Sequence, residues 1–396
     1  MKNKRMFRAE DIPLSLYIHL PWCDKKCPYC DFNSHLLRDQ NQFEEYTGAL
    51  ISQLRGWSEL FKNRKIKTVY FGGGTPNLFP IDLVETLFKE IHLAMDFEED
   101  SEISFEVNPL NMHRNSSIEE YFFGLNHLGV NRISVGAQSF DDISLKKIGR
   151  THSPAEIELF LMEVCKIFTN VNIDLMYGLP GQNQIKVRKD IDTLKTFNVT
   201  HTSYYQLTIE PGTMFYSNVP KLPSEDVIWD MYSLITNELA RNGYSRYEVS
   251  AYSKDGMRCQ HNMNYWEFGD YIGIGAGAHS KITKNNLMER RIVISNPVNY
   301  VEKVQSNNQF FKKTSHLPGA EVLFEYILNA SRLTKGFEIL DFENRTGLEF
   351  SNEQEKFCLA SEKGLIDITL DKVIPTKLGL NFLNNLQEIF TPINSY

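Results

Sequence analysis

Short apolar runs alternate with longer amphipathic stretches through the first half of the chain. The runs Leu16–Leu20, Thr68–Phe71, Ile103–Val107, Arg132–Gly136, Val171–Met176 and Ser203–Thr208 read as strands. Between them, Phe43–Phe61, Leu83–Met95, Ile118–Leu128, Ala155–Phe168 and Lys186–Phe197 carry apolar residues at helical spacing. Strands separated by helices of this length pair in parallel through crossover connections. Six such units predict an α/β fold, a partial (β/α)6 barrel rather than the closed eight-fold form, with active residues at the C-terminal ends of the strands.

Beyond residue 210 the alternation loosens. Ser224–Asn242 predicts a helix, with Ser224 as N-cap and Gly243 just past its end. Arg246–Ala251 predicts one further strand, and the glycine-rich, apolar Asp270–Ser280 a tight segment packed on the barrel. Around Thr283–Pro297 the composition turns polar (Lys284-Asn285-Asn286), which places a domain boundary there: residues 1–290 form the barrel and 300–396 a second, small domain. In the latter, helices precede Gly364–Thr369, a turn, Val373–Thr376 and a last helix, a winged-helix-like α+β pattern. Leu380–Phe390 has no Lys or Arg, so this unit reads as a protein contact or a lid rather than a DNA binder.

Composition narrows the function classes. With 42% hydrophobic and 23% charged residues, the chain is an ordinary globular one. Its net charge of −8 argues against nucleic-acid binding through bulk charge. The basic start (Lys2, Lys4, Arg5, Arg8) is short and reads as a solvated tail; no apolar run follows it, so no signal peptide is expected. No window approaches the roughly 18 apolar residues of a membrane span. Six cysteines in 396 residues make no disulfide framework, and a reducing, cytoplasmic setting is expected.

Three of those cysteines lie within eight residues, Cys23, Cys27 and Cys30, spaced C-x3-C-x2-C directly after the first strand. A [4Fe-4S] cluster ordinarily takes four thiolates, so three leave one iron open to a ligand that is not protein. Zinc is the alternative, with His19 or His35 as a fourth ligand, but the spacing is a poor zinc pattern.

The run Tyr17-Ile18-His19-Leu20-Pro21-Trp22 followed by these cysteines resembles the radical S-adenosylmethionine (radical SAM) superfamily, within it the HemN/HemW branch related to oxygen-independent coproporphyrinogen III oxidase. The motif order matches across about residues 13–285. The resemblance implies a [4Fe-4S] cluster on Cys23, Cys27 and Cys30 whose open iron chelates S-adenosylmethionine. It implies that Gly73, Gly74 and Thr75 of Gly72-Gly73-Gly74-Thr75-Pro76 contact the methionine amino group, and that Glu106, Gln138, Arg150 and Asp174 hold the rest of the ligand. Glu106 and Asp174 suit its ammonium and ribose hydroxyls, and Arg150 suits its carboxylate. Tyr17 and Tyr29 would flank it. Read singly, each of the four polar residues is more readily a core ion pair or a cap, and Asp174 inside an apolar strand demands a partner.

Two activities divide this branch. The oxidases continue to a fourth cysteine, C-x3-C-x2-C-x-C, where this chain has Phe32, and carry an N-terminal extension where only residues 1–15 precede the first strand here. Coproporphyrinogen III dehydrogenase is therefore the alternative, and oxidative decarboxylation is not expected. The run His261-Asn262-Met263-Asn264-Tyr265-Trp266 matches HNxxYW, the pattern that the haem-chaperone members associate with haem. Imidazole ligates haem iron, and Tyr265 and Trp266 offer flat apolar surface to a porphyrin. The loop reads equally as one packed by two aromatics with His261 merely hydrogen-bonded. His279 is left unassigned, and Cys259 is a thiolate candidate or a buried free thiol. The resemblance thus implies a haem chaperone that carries haem as cargo and passes it to acceptor haemoproteins such as respiratory proteins. It also implies homodimerisation, with peripheral membrane contact left open.

Overall fold

The computed structural model describes residues 9–392 except 62, 110–116 and 285–286. The basic start and the Asn285-Asn286 pair lie outside the described residues. Six parallel strands form the centre of the molecule: β1 (Leu14–Leu20), β2 (Ile66–Gly73), β3 (Phe97–Val107), β4 (Arg132–Gln138), β5 (Val171–Tyr177) and β6 (His201–Gln206). They lie side by side in chain order. The crossovers are α1 (Asn41–Phe61), α2 (Ile81–Ala94), α3 (Ile118–His127), α4 (Pro154–Ile167) and α5 (Gln184–Thr196). Every residue of β1 except Tyr17 is buried, as a parallel strand covered on both faces requires. Ser117/Glu120 and Ser153/Glu156 form capping boxes that start α3 and α4, the latter reinforced by Pro154. The core packs Leu16, Ile18, Phe71, Phe105, Ile133 and Ile173 from the strands against Leu50, Leu87, Phe122 and Leu161 from the helices.

The sheet is larger than six units. Beyond β1 it continues through β7 (Asp270–Ile274), parallel to β1, and then β8 (His279–Lys284), β9 (Leu287–Val293) and β10 (Phe311–His316), all antiparallel. The glycine-rich Asp270–Ser280 is thus a strand of the sheet and the turn after it, where Gly275 and Gly277 adopt positive φ. The polar stretch near Thr283–Pro297 is a hairpin inside this extension, so the main sheet crosses the expected boundary and ends at His316. Asp270 anchors the extension from within. It accepts from Lys281 (3.1 Å), Arg64 (2.9 Å) and Thr283 Oγ1 (2.9 Å), and these partners hold its carboxyl below the usual range despite full burial.

The helix α6 (Glu225–Arg241) begins after Ser224, whose side chain makes no cap hydrogen bond, and ends before Gly243 at φ +81°. Arg246–Ala251 is not one strand. Ser245–Arg246 and Ala251–Ser253 pair antiparallel around a turn at the other edge of the sheet, beside β6. Arg246 donates to the carbonyls of Glu248 and Val249, and Glu248 accepts from the Ser250 N–H, so side chains replace the ladder there.

The C-terminal unit has helices Gly319–Ala330, Ile339–Thr346 and Gln354–Glu362 and a wing in which Ile366–Ile368 pairs with Lys372–Pro375. The last helix is two short ones, Lys377–Asn381 and Leu383–Glu388, broken at Phe382. Its own core (Leu323, Tyr326, Phe342, Phe357, Phe390) takes in Phe268 and Met288 from the main body. Arg332 ties the two together, bonding Glu248 at 2.9 Å and lying 4.4 Å over the Trp266 ring.

Candidate functional site

At the C-terminal end of β1 the chain turns into the cysteine loop. Trp22–Cys23 pairs with His35–Leu36 and pinches residues 24–34 into a closed loop. Within it the Cys30 N–H bonds the Cys27 carbonyl (3.2 Å) and Lys26 Nζ bonds the Ser34 carbonyl (3.3 Å). His19 Nε2 donates to the Asn33 carbonyl (2.9 Å), which assigns its proton and leaves Nδ1 to accept from Tyr17 O–H (3.0 Å). Burial pulls the His19 pKa down to about 4, so the ring is a neutral tie. His35 Nε2 bonds Asn33 Oδ1 (3.1 Å). Both histidines considered as a fourth ligand therefore brace the loop through Asn33, and neither lines the cavity that the cysteines face.

Glycine packs this loop from below. Gly74 N–H bonds the Leu20 carbonyl and Thr75 N–H the Trp22 carbonyl, each at 2.8 Å. A Cβ on Gly74 would sit 2.6 Å from the Trp22 carbonyl oxygen, and Gly73 holds φ +123°. Only glycine permits backbones this close. Thr75 Oγ1 donates to Cys23 Sγ at 3.5 Å. On the other side a Cβ at Gly149 would meet Pro28 at 2.6 Å, so the residue before Arg150 also presses on the loop.

These elements enclose a cavity of about 370 Å³ lined by Cys23, Cys27, Cys30, Tyr29, Gly73, Gly74, Thr75, Glu106, Gln138, Arg150 and Asp174. Eleven of the fifteen residues that sequence put forward thus meet in one space. Glu106, on β3, accepts from Tyr70 O–H (2.8 Å) and the Gly73 N–H (3.1 Å). Burial, then the Asp174 charge, pushes its carboxyl up to about 7 against the Tyr70 hydrogen bond. Asp174, on β5, is raised by burial too and is met by Ser134 (2.9 Å) and Asn172 (2.8 Å) rather than by a cation. Neither carboxyl has an ion pair among the described residues. Gln138 follows an irregularity in the β4–β5 register and holds φ +68°, unusual for a side-chain-bearing residue. Arg150 has a buried Nε with no hydrogen-bond partner. Burial works against its charge, but Tyr29 and Cys27 outweigh it and its pKa is raised.

The donor set fits the expected groups. Among the described residues no three His, Cys, Asp or Glu side chains converge on a single ion. Three thiols spread around a cavity wall would suit a multi-iron cluster. Burial pushes the Cys23 and Cys30 thiols up, a cost that iron removes by taking the thiolate. Beside them, two buried carboxyls without a cation and an arginine with a free donor complement a zwitterionic ligand.

A second cavity, about 640 Å³, shares Asp31, Phe32, Gly73 and Glu106 with the first. Tyr17 lies here, away from the first cavity, and so do Tyr265 and Trp266 with Tyr271, Phe268 and His279. Phe32, where the oxidase pattern has cysteine, is 60% exposed at the wall between the cavities.

His261 lines neither cavity. It sits on α7 (Gln260–Trp266) and is 1% exposed. Nδ1 lies 2.7 Å from Thr68 Oγ1, which itself donates to Ser15 (2.7 Å), so Nδ1 carries the proton and Nε2 accepts from Tyr265 O–H (3.0 Å). Burial, then Arg132, lowers its pKa to about 3. Both nitrogens are occupied, and the ring positions Tyr265. Glu102 anchors the start of α7 by accepting from the Gln260 and His261 N–H groups (3.0 and 3.1 Å) and from Cys259 Sγ (3.6 Å). Cys259 is fully buried and burial pushes its thiol up to about 12, which makes it a protonated donor.

Sequence reasoning missed Tyr70, Arg132, Ser134, Asn172 and Tyr205, which line the first cavity too. Arg132 had a visible signal, a charge opening an apolar strand. It is 2% exposed, and its Nε has no hydrogen-bond partner.

The sequence profile of the Radical SAM superfamily matches residues 17–194, the stretch that holds the loop and nearly all of this cavity. A protein of Buchnera aphidicola named "Heme chaperone HemW" is 39% identical over 380 residues, covering 96% of this chain and 98% of the relative. The Escherichia coli protein of that name is 37% identical over 381 residues, with the same shares. The chain belongs to the HemW family of radical SAM proteins. Membership implies a [4Fe-4S] cluster and S-adenosylmethionine. The solved structure of the Escherichia coli coproporphyrinogen III oxidase HemN, a radical SAM enzyme, superposes with a TM-score of 0.82 over 98% of this chain and 92% of its own, at 23% identity. That likeness shows the α/β fold that this chain shares with it. Among the described residues no helix is long and apolar enough to cross a membrane.

Proposed function

We propose that this chain is a haem chaperone. It holds a [4Fe-4S] cluster through Cys23, Cys27 and Cys30, binds S-adenosylmethionine beside it, carries haem as cargo and delivers it to acceptor haemoproteins in the cytoplasm. The observation that carries this reading is the near full-length similarity to proteins named haem chaperones. When bound, the cluster supplies an electron to the sulfonium of S-adenosylmethionine.

The residues divide the work. Glu106 receives the ammonium of the ligand. Arg150 receives its carboxylate through the unpartnered Nε side of the guanidinium. Asp174, oriented by Ser134 and Asn172, takes ribose hydroxyls. Tyr29 and the glycine backbone close the space against water. Tyr265 and Trp266 face the cargo across the wall that Phe32 and Glu106 share.

Three assays on one anaerobic, reconstituted sample test the proposal. Iron and sulfide analysis should give about four of each per chain, and haemin titration should give a saturable Soret band. Coproporphyrinogen III incubated with the same protein, S-adenosylmethionine and a reductant should be recovered unchanged. Formation of protoporphyrinogen would make the chain an oxidase instead.

A further inference from the structure

Resting on the haem reading above, we propose that His279 is the axial ligand of the haem iron in the second cavity. Two histidines line that cavity, His19 and His279. Both ring nitrogens of His19 are engaged, by Asn33 and Tyr17. His279 is exposed, and its side chain makes no hydrogen bond or ring contact among the described residues. It stands at the first position of β8, directly after the turn in which Gly275 and Gly277 take positive φ. That turn is fixed by Asn33 of the cysteine loop, whose Nδ2 donates to the Ala276 carbonyl (2.9 Å). The imidazole is thus exposed but mounted on a rigid strand.

Its surroundings suit an iron tetrapyrrole. Tyr265, Trp266, Tyr271, Phe268 and Phe32 give the cavity flat apolar walls, and about 640 Å³ falls within the ~300–1,000 Å³ of small-molecule sites. An imidazole binds metal only when neutral. Partial desolvation of the ring at the cavity wall, then the charges of Arg290 and Lys312, lowers the pKa of His279, which keeps its lone pair free at neutral pH. His261, by contrast, is enclosed with both nitrogens spent.

The test uses the full chain, ferric haemin, and absorption and electron paramagnetic resonance spectra. Wild type should show an imidazole-ligated ferric haem. His279→Ala should lose that signature and bind haemin at least about tenfold more weakly, and added imidazole should restore the wild-type spectrum. His261→Gln should keep the signature. The exposed position of His279 makes a folding defect unexpected, and circular dichroism checks it. A folded His279→Ala protein with the wild-type spectrum overturns the assignment while leaving haem carriage intact. Wild-type protein that takes up no haemin overturns the haem reading itself.

Discussion

The two cavities share a wall but are built by different means. The first gathers residues from five consecutive parallel strands, the cysteine loop and the segments that follow the strands, and backbone approaches too close to admit a Cβ fix its floor. Its walls are polar and held by short hydrogen bonds. The second is assembled from the end of β1, the cysteine loop, α7 and the sheet extension β7–β9, and its walls carry aromatic rings beside Glu106, Lys281 and Arg290. A polar, tightly braced space suits a small zwitterion beside a cluster. A broader aromatic one suits a flat apolar cargo. On the proposed function the contrast is a division of labour within one chain: the parallel core would house the cofactors, and the added strands the haem.

The sharpest way to break that division is to empty the first cavity alone. Replacing Cys23, Cys27 and Cys30 together by Ala should drop iron and sulfide from about four each per chain to background. Haemin binding should persist, because the second cavity has no cysteine in its lining. Glu106→Gln comes next. Loss of a charge-assisted hydrogen bond costs about 1.5–3 kcal/mol, so calorimetry should show S-adenosylmethionine binding roughly 10–100-fold weaker. The pH dependence carries the same signal. Glu106 is protonated below about 7, and only its carboxylate pairs with an ammonium. Wild-type affinity should therefore fall as pH drops through about 7, with proton release on binding there, while the Gln variant shows neither.

Gly74→Ala tests the floor. Its Cβ would meet the Trp22 and Pro21 carbonyl oxygens at 2.6 and 2.7 Å, backbone atoms that cannot yield without moving Cys23. Overpacking of this kind costs about 1–3 kcal/mol, read as a lower unfolding midpoint together with reduced cluster occupancy. Tyr265→Phe is the mildest. It removes only the hydrogen bond to His261 Nε2, worth about 1 kcal/mol, and keeps the ring. Haemin affinity should change by less than about tenfold.

The same contrast explains what the sequence disclosed. Parallel strands buried on both faces are nearly continuous apolar runs, so five of the six barrel strands were legible to within two residues at each end, while β3 starts six residues before the expected Ile103. Asp174 stands out in one of them as a polar interruption. The motif glycines were visible, but their contact with the cysteine loop is tertiary and was not. Strand β7 is five residues of mixed character, Asp270-Tyr271-Ile272-Gly273-Ile274, and its pairing with β1 spans more than two hundred residues of sequence. Long-range pairing of this kind leaves no local signature, which is why the sheet extension was read as a boundary. The enclosure of His261 was hidden for a similar reason. Its partners Thr68 and Tyr265 are split between β2 and its own helix, and a histidine next to two aromatics reads alike as a ligand or a tie.

Simultaneous occupancy tests the two-cavity account most directly. Cluster-loaded protein saturated with S-adenosylmethionine under anaerobic conditions is titrated with haemin while bound S-adenosylmethionine is quantified in the same sample. The account predicts that both ligands reside on one chain, with haemin saturating and S-adenosylmethionine retained. Stoichiometric displacement of S-adenosylmethionine by haemin would place both in one cavity and contradict it.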